Sequence, residues 1–231
     1  MKKILSYGGG VNSTAILAMV ELGMYEKPDE IIFCDTGVER QETYCYLKFI
    51  KKYFDIITIQ SDRGTLLEYC NKYKIIPARM TRWCTIEFKI KPFDKYLKGV
   101  DHIKILGIDA GEKHRVRADS KNIEYPLIEN NIDRAGCIEL IKKVGWDVPK
   151  KSGCYICPFM RIKELHELRK YNPKEFKILV DIEKQANERN NKIYFKNNML
   201  IENYCNDLQT EIEFDEPIED EMMLHCLCKY E

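Results

Sequence analysis

Three groups of residues in this 231-residue chain have the types and spacing for chemistry. The first is Gly8-Gly9-Gly10-Val11-Asn12-Ser13, which separates a short apolar run from a helix-like run. Three glycines let the backbone approach an anion closely. The loop N–H groups and the N-terminus of the following helix then present positive dipole ends. Ser6, Ser13 and Thr14 add hydroxyls. A plain strand-to-helix turn is the bland alternative, but it does not need the entropic cost of three consecutive glycines. No Gly-Lys-Ser/Thr follows, so the loop is not of the Walker type, and without Gly-x-Gly-x-x-Gly a dinucleotide site is disfavoured. The second group is Cys154-x-x-Cys157, which can hold one metal between two thiolates. A redox pair or a bare buried pair are the alternatives. The third group is cationic: Arg79, Arg82, Lys89, Lys91, Arg115 and Arg117. A ligand with two or three phosphates needs such charges, although solvent-facing side chains are the simpler reading for many of them. His114 fits a surface histidine better than a proton carrier.

These groups must be positioned by an alternating pattern. Lys3–Tyr7, Glu30–Cys34, Ile56–Ile59 and His102–Ile108 read as buried strands. Thr14–Met24, Gln41–Phe54 and Gly64–Tyr73 read as helices, with Leu47, Ile50 and Phe54 on one face. This rhythm predicts an α/β fold, a parallel twisted sheet with helices on both faces. Ligands sit beyond the carboxyl ends of such strands. The glycine loop, Asp35-Thr36-Gly37 and the Gly107 to Arg117 segment all fall there. After about residue 120, Pro126, Pro149, Pro158 and Pro173 punctuate shorter helices, including one from Pro173 to Arg189. The expected division is an α/β nucleotide-binding domain over residues 1–120 and a small helical cap with a C-terminal tail over 121–231.

Bulk properties exclude some classes. Thirty-seven basic residues balance thirty-seven acidic ones, so no global field draws the chain to nucleic acid or membrane. No run of about 18 apolar residues suggests a membrane span, and the N-terminal apolar run is too short for a signal-peptide core. A cytoplasmic location is expected. Ten cysteines in a reducing compartment are better read as ligands or reactive thiols where clustered, and as small buried groups where isolated, as at Cys45, Cys70 and Cys205.

In order along the chain, five segments resemble the phosphoadenosine-phosphosulfate (PAPS) reductase family of the PP-loop adenine nucleotide alpha hydrolases. They are the glycine loop; Asp35-Thr36-Gly37-Val38-Glu39 with Glu42-Thr43-Tyr44; Cys84 with Lys89, Lys91 and Pro92; Gly107-Ile108-Asp109-Ala110-Gly111-Glu112 with Arg115; and Tyr125-Pro126-Leu127 followed by Gly153-Cys154-Tyr155-Ile156-Cys157-Pro158. Gly8 stands where serine is usual, Asn12 where aspartate is usual, and Asp109 where arginine is usual. The HUP-like PP-loop fold is what the resemblance implies. It also implies an adenine nucleotide, ATP or PAPS, held by Ser6, Gly8, Gly9, Gly10, Asn12, Ser13, Asp35, Thr36, Gly37 and Gly107. Lys89 and Arg115 become catalytic candidates.

The resemblance further implies a [4Fe–4S] cluster on Cys84, Cys154 and Cys157, with Cys226 as the chosen fourth ligand; zinc suits four cysteines equally by count. Cys228 is the candidate nucleophile in a reductase-like tail, although Glu219, Asp220 and Glu221 nearby oppose a thiolate and only His225 favours it. Three functions remain open. The chain could act at the α-phosphate of ATP, usually with Mg²⁺, adenylating an oxygen of a nucleic-acid or protein acceptor that is then displaced, often by sulfur in a sulfur-transfer reaction. It could reduce PAPS or adenylylsulfate to sulfite. It could bind nucleotide without turnover, as a subunit of a modification system. Such domains often pair, so a homodimer is allowed.

Overall fold

The computed structural model describes residues 1–116, 122–189, 193–196 and 199–207. Five strands form one parallel sheet: β1 (Lys2–Ser6), β2 (Glu30–Asp35), β3 (Ile57–Gln60), β4 (His102–Leu106) and β5 (Ile123–Glu124). Their spatial order is β3-β2-β1-β4-β5. The chain runs outward from β1 to β3, then returns to the other side of β1. The C-terminal ends of β1 and β4 therefore flank the crevice where the winding reverses, the usual ligand position in such sheets.

The strands form because both their faces are buried. Leu5, Ile31, Phe33 and Ile105 point into one core, while Ile4, Ile32 and Cys34 point into another. Side chains alternate along a strand, so continuous apolar runs such as Ile31-Ile32-Phe33 serve both layers. Helices α1 (Val11–Glu21) and α2 (Gln41–Ile50) supply Ile16, Leu47 and Ile50 to the first core. Phe54 joins them there, as the helical pattern predicts. Helix α3 (Leu66–Tyr73) is opened by a capping box between Thr65 and Glu68. A longer helical run follows as α4 (Trp83–Thr85), a π turn at Ile86–Ile90 and α5 (Lys91–Tyr96). Phe93 and Leu97 from this run close the second face of the sheet.

After β4 come a 3-10 turn at Ala110–Arg115, then α6 (Pro126–Glu129) and α7 (Arg134–Lys143). Cys137 and Ile141 of α7, with Trp146, belong to the same core as α1. The sheet and its first core thus continue past residue 120. Two residues of β5 are too few to leave a periodic signal in the sequence. A further cluster is built from α8 (Ile162–Tyr171), α9 (Pro173–Arg189) and α10 (Ile201–Asp207), packed with Leu66, Cys70 and Phe88. Fully buried Glu183 ties this part together, accepting the Phe195 and Ile201 backbone N–H groups at 2.8 and 2.6 Å. Cys45, Cys70 and Cys205 are buried, as expected of isolated cysteines.

Candidate functional site

The glycine loop leaves β1 at Ser6 and enters α1 at Val11. Gly9 takes φ +68°, a left-handed turn that glycine adopts without strain. Gly10 caps α1, yet no side chain accepts the N–H groups of its first turn, and that turn holds no acidic residue. Such uncapped donors, together with the helix dipole, suit an anion. Ser13 Oγ accepts from Gly8 N and donates to the Gly10 carbonyl, both at 3.2 Å, so the hydroxyl stiffens the loop.

The end of β4 presses directly on this loop. A Cβ on Gly107 would lie 2.9 Å from Ser13 N and 3.1 Å from Asn12 C. Only a residue without a side chain fits there. A Cβ on Gly10 would lie 2.7 Å from Ser152 Oγ, which places the segment before Cys154 on the loop's other side. The two departures from the family pattern touch each other: Asn12 Nδ2 donates to Asp109 Oδ2 at 3.0 Å. Asp109 is 4% exposed, and its Oδ1 accepts from Gly111 N at 2.9 Å. Arg134 at the start of α7 donates to Asn12 Oδ1 at 2.9 Å. Sequence reasoning missed Arg134, because the packing of α7 on α1, and not any motif, brings it to the loop.

At the end of β2, Asp35 works within its own turn. Its Oδ1 accepts from Gly37 N at 2.8 Å and from the Tyr44 hydroxyl at 2.7 Å; its Oδ2 accepts from Gln60 at 3.2 Å. Thr36 Oγ1 donates to Glu39 Oε1 at 3.0 Å. Glu39, only 1% exposed at its side chain, pairs with Lys89 at 2.9 Å; the lysine side chain is 37% exposed. Burial works to lower the Lys89 pKa, but the fields of Glu39, Cys154 and Cys34 together raise it, so the ammonium form persists. Cys154 Sγ stands 3.3 Å from Thr36 Oγ1 and 3.6 Å from Glu39 Oε1. Backbone pairing of Glu39 with Cys154 joins the Cys-x-x-Cys segment to the turn that follows β2. Burial, followed by the Glu39 charge, pushes the Cys154 thiol up, so it is a weak nucleophile at neutral pH.

Cys84 and Cys157 lie with Cys154 along the edge of one apolar cluster. The Cys84 thiol is also pushed up, first by burial and then by Cys157. Among the described residues, however, no three metal-ligating side chains form a group that could hold a metal ion. Cys154 is engaged with Thr36 and Glu39 instead. Cys226, the expected fourth ligand, and Cys228 lie outside the described residues, as do Arg117, Glu219 to Glu221 and His225. The described residues therefore do not by themselves make a cluster site.

Two other expected cations, Arg115 and Lys91, are paired with acids. Arg115 Nη1 reaches both carboxylate oxygens of Glu112 at 2.7 Å on an exposed turn. Lys91 pairs with Glu87 beside a cavity of about 730 Å³ at the β3 edge. That cavity's other cations, Arg63 and Lys95, also face acids, Glu87 and Asp62. A smaller cleft of about 380 Å³ includes Arg134 and so adjoins the glycine loop. Among the described residues, no helix is long and apolar enough to cross a membrane.

The fold is shared with a PAPS reductase from Candida auris in phosphate complex. The two superpose with a TM-score of 0.52 at 17% identity, over 67% of this chain and 81% of that one. Two uncharacterized proteins of Methanocaldococcus jannaschii, MJ0066 and MJ0973, are each 26% identical to this chain. The matches cover 81% and 78% of it, but only 42% and 47% of theirs. The chain thus spans less than half the length of these curated relatives. Residues 2–124, which carry the glycine loop, the β2 and β4 ends and all five strands, match the phosphoadenosine phosphosulfate reductase domain, and the chain belongs to that family.

Proposed function

We propose that the chain binds ATP in the crevice between β1 and β4 and catalyses attack on its α-phosphate. The bond to the pyrophosphate oxygen breaks, a bond to an acceptor oxygen forms, and pyrophosphate leaves. The observation that carries this reading is the uncapped N-terminus of α1 beside buried Asp109. The loop N–H groups suit phosphate oxygens, and a catalyst of this type works by positioning and charge neutralisation. A carboxylate so close repels a bare polyanion. ATP enters as its magnesium complex, whose cation offsets Asp109, whereas PAPS brings no such partner. Arg134 joins the proposed site as a phosphate ligand, since only part of its donor set is spent on Asn12. Ser6, Gly8 to Gly10, Asn12, Ser13 and Gly107 line the phosphates. Asp35, Thr36 and Gly37 shape the nucleoside side of the crevice. Lys89 acts by holding Glu39, and Arg115 would have to leave Glu112 to reach a phosphate.

Family membership supports a second reading, reduction of PAPS or adenylylsulfate with Cys228 as nucleophile. Cys154 is a poor substitute for that thiol, given its protonated state. The test is calorimetric titration with magnesium-ATP and with PAPS, followed by parallel assays of pyrophosphate and of sulfite with a thiol reductant. ATP binding with pyrophosphate release is expected. Sulfite from PAPS would transfer the assignment to the second reading. ATP binding without pyrophosphate would mark a nucleotide-binding subunit, and binding of neither nucleotide would refute the site.

A further inference from the structure

The formal charge of the chain is zero, yet one cleft carries an excess of positive charge. The cleft beside the glycine loop is lined by Arg40, Arg134, Lys150, Lys151, Arg161 and Lys163 against three glutamates. Glu164 is already shared by Arg40 at 3.0 Å and Lys151 at 2.8 Å. Lys150 and Lys163 are exposed, and neither is in a direct ion pair among the described residues. The same positive surface continues through the Pro158 to Arg161 turn. Lys196 Nζ donates to the Pro158 carbonyl at 2.9 Å. Next to it, the Phe159 ring is 44% exposed, with the guanidinium carbons of Arg79 and Arg82 at 5.2 and 5.8 Å from its centroid. Burial first, then the field of Arg79, lowers the Lys196 pKa against the opposing fields of Cys157 and Glu164. Holding so many cations together costs stability unless an anion offsets them.

We propose that this strip is the docking track of a single-stranded polynucleotide, with phosphates along the cleft and a base stacked at Phe159. The inference rests on the nucleotide reading above and gives its acceptor a chemical class, since the track ends at Arg134 and Asn12 of the loop. Three features select this partner. The cations are strung out along a path, as a phosphodiester backbone requires. An exposed ring flanked by arginines offers the stacking platform that single strands use. The cleft is concave, so a flat bilayer cannot enter it, and an acidic peptide would leave the ring idle.

The test uses the full chain and fluorescence anisotropy with labelled oligo(U) and oligo(dT) of about 12 nucleotides, within the usual span of such sites. A matching duplex, polyglutamate and anionic phospholipid vesicles serve as competitors. Binding of the single strands should weaken steeply between about 50 and 200 mM salt. The Lys150→Ala/Lys163→Ala variant removes two cations and should lower the log–log salt slope by about 1.4. Phe159→Ala should weaken binding about tenfold at an unchanged slope. Lys163→Glu is a second surface variant should the double one fold poorly, and it too should weaken binding. Magnesium-ATP affinity, measured by calorimetry, should stay the same in all of them. The ratio of RNA to DNA affinity names which strand is preferred. Absence of oligonucleotide binding overturns the track, as do equal competition by duplex, polyglutamate or vesicles and indifference to Phe159→Ala. Loss of ATP binding with oligonucleotide binding retained would instead refute the nucleotide reading and leave the track standing.

Discussion

Gly107→Ala and Gly8→Ala make opposite demands on the same loop. A methyl at Gly107 meets three backbone atoms, Ser13 N at 2.9 Å and Asn12 C and Ser13 Cα at 3.1 Å. Ordinary contact begins near 3.4 Å, so the nearest approach is about half an ångström too close, and backbone cannot rotate away as a side chain can. Either the β4 end or the first turn of α1 must shift. Overpacking of this kind costs about 1–3 kcal/mol of stability. The shift also moves the N–H donors that the proposed function assigns to phosphate. Losing one hydrogen bond to a charged group costs about 1.5–3 kcal/mol, which weakens nucleotide binding roughly 10- to 150-fold. A methyl at Gly8 instead meets nothing nearer than Ser13 Oγ at 4.0 Å. Gly8→Ala, and equally Gly8→Ser, should fold and bind like the parent. Calorimetry with magnesium-ATP measures the affinity, and urea unfolding measures the stability separately. The reasoning fails if Gly107→Ala binds within about twofold of the parent, or if Gly8→Ala is as damaging as Gly107→Ala.

Asn12→Asp should destabilise the protein while Asp109 is present, because two carboxylates would then stand where an amide now donates at 3.0 Å. With Asp109→Asn added, the loss should vanish and Arg134 should gain an ion pair; a double-mutant cycle in urea should give a coupling of about 1–3 kcal/mol. Lys89→Met leaves Glu39 buried without its cation and should cost on the order of 3 kcal/mol, much of it recovered by Glu39→Gln; a loss below about 0.5 kcal/mol would show that the pair is not structural. Burial pushes the thiols of Cys34, Cys70 and Cys137 up to about 11, 12 and 12. The folded chain therefore keeps protons that the unfolded chain releases near the ordinary thiol pKa of about 8.5. Their contribution to stability is fully present below that pH and declines as pH rises toward 11 and 12, by about 1.4 kcal/mol per pH unit per thiol. Melting temperatures measured across the alkaline range should fall accordingly, and less steeply in a Cys137→Ala variant.

Local features were legible in the sequence because they are written in neighbouring residues. Alternation of apolar runs with helical periodicity announced four of the five strands, and the fifth, Ile123–Glu124, was too short to register. Glycines marked the loop because backbone shape is a local property. The Cys-x-x-Cys pair was visible for the same reason, but its surroundings were not. Glu39 and Cys154 are 115 positions apart, and the bridge between the turn after β2 and the Cys-x-x-Cys segment makes them neighbours. Thus the thiol expected to be a ligand is found held beside a carboxylate.

By itself the sequence determined the layer architecture, the loop and the order of segments at the strand ends, since burial pattern and glycine placement act over a few residues. Only the tertiary structure decided which side chains meet at the loop. Asn12 and Asp109 looked like two separate departures and prove to be one hydrogen-bonded pair, and Arg134 reaches them because α7 packs on α1. The excess of positive charge in one cleft, beside a neutral-looking composition, belongs to the same class. Electrostatic fields sum over space, and folding is what sets the distances.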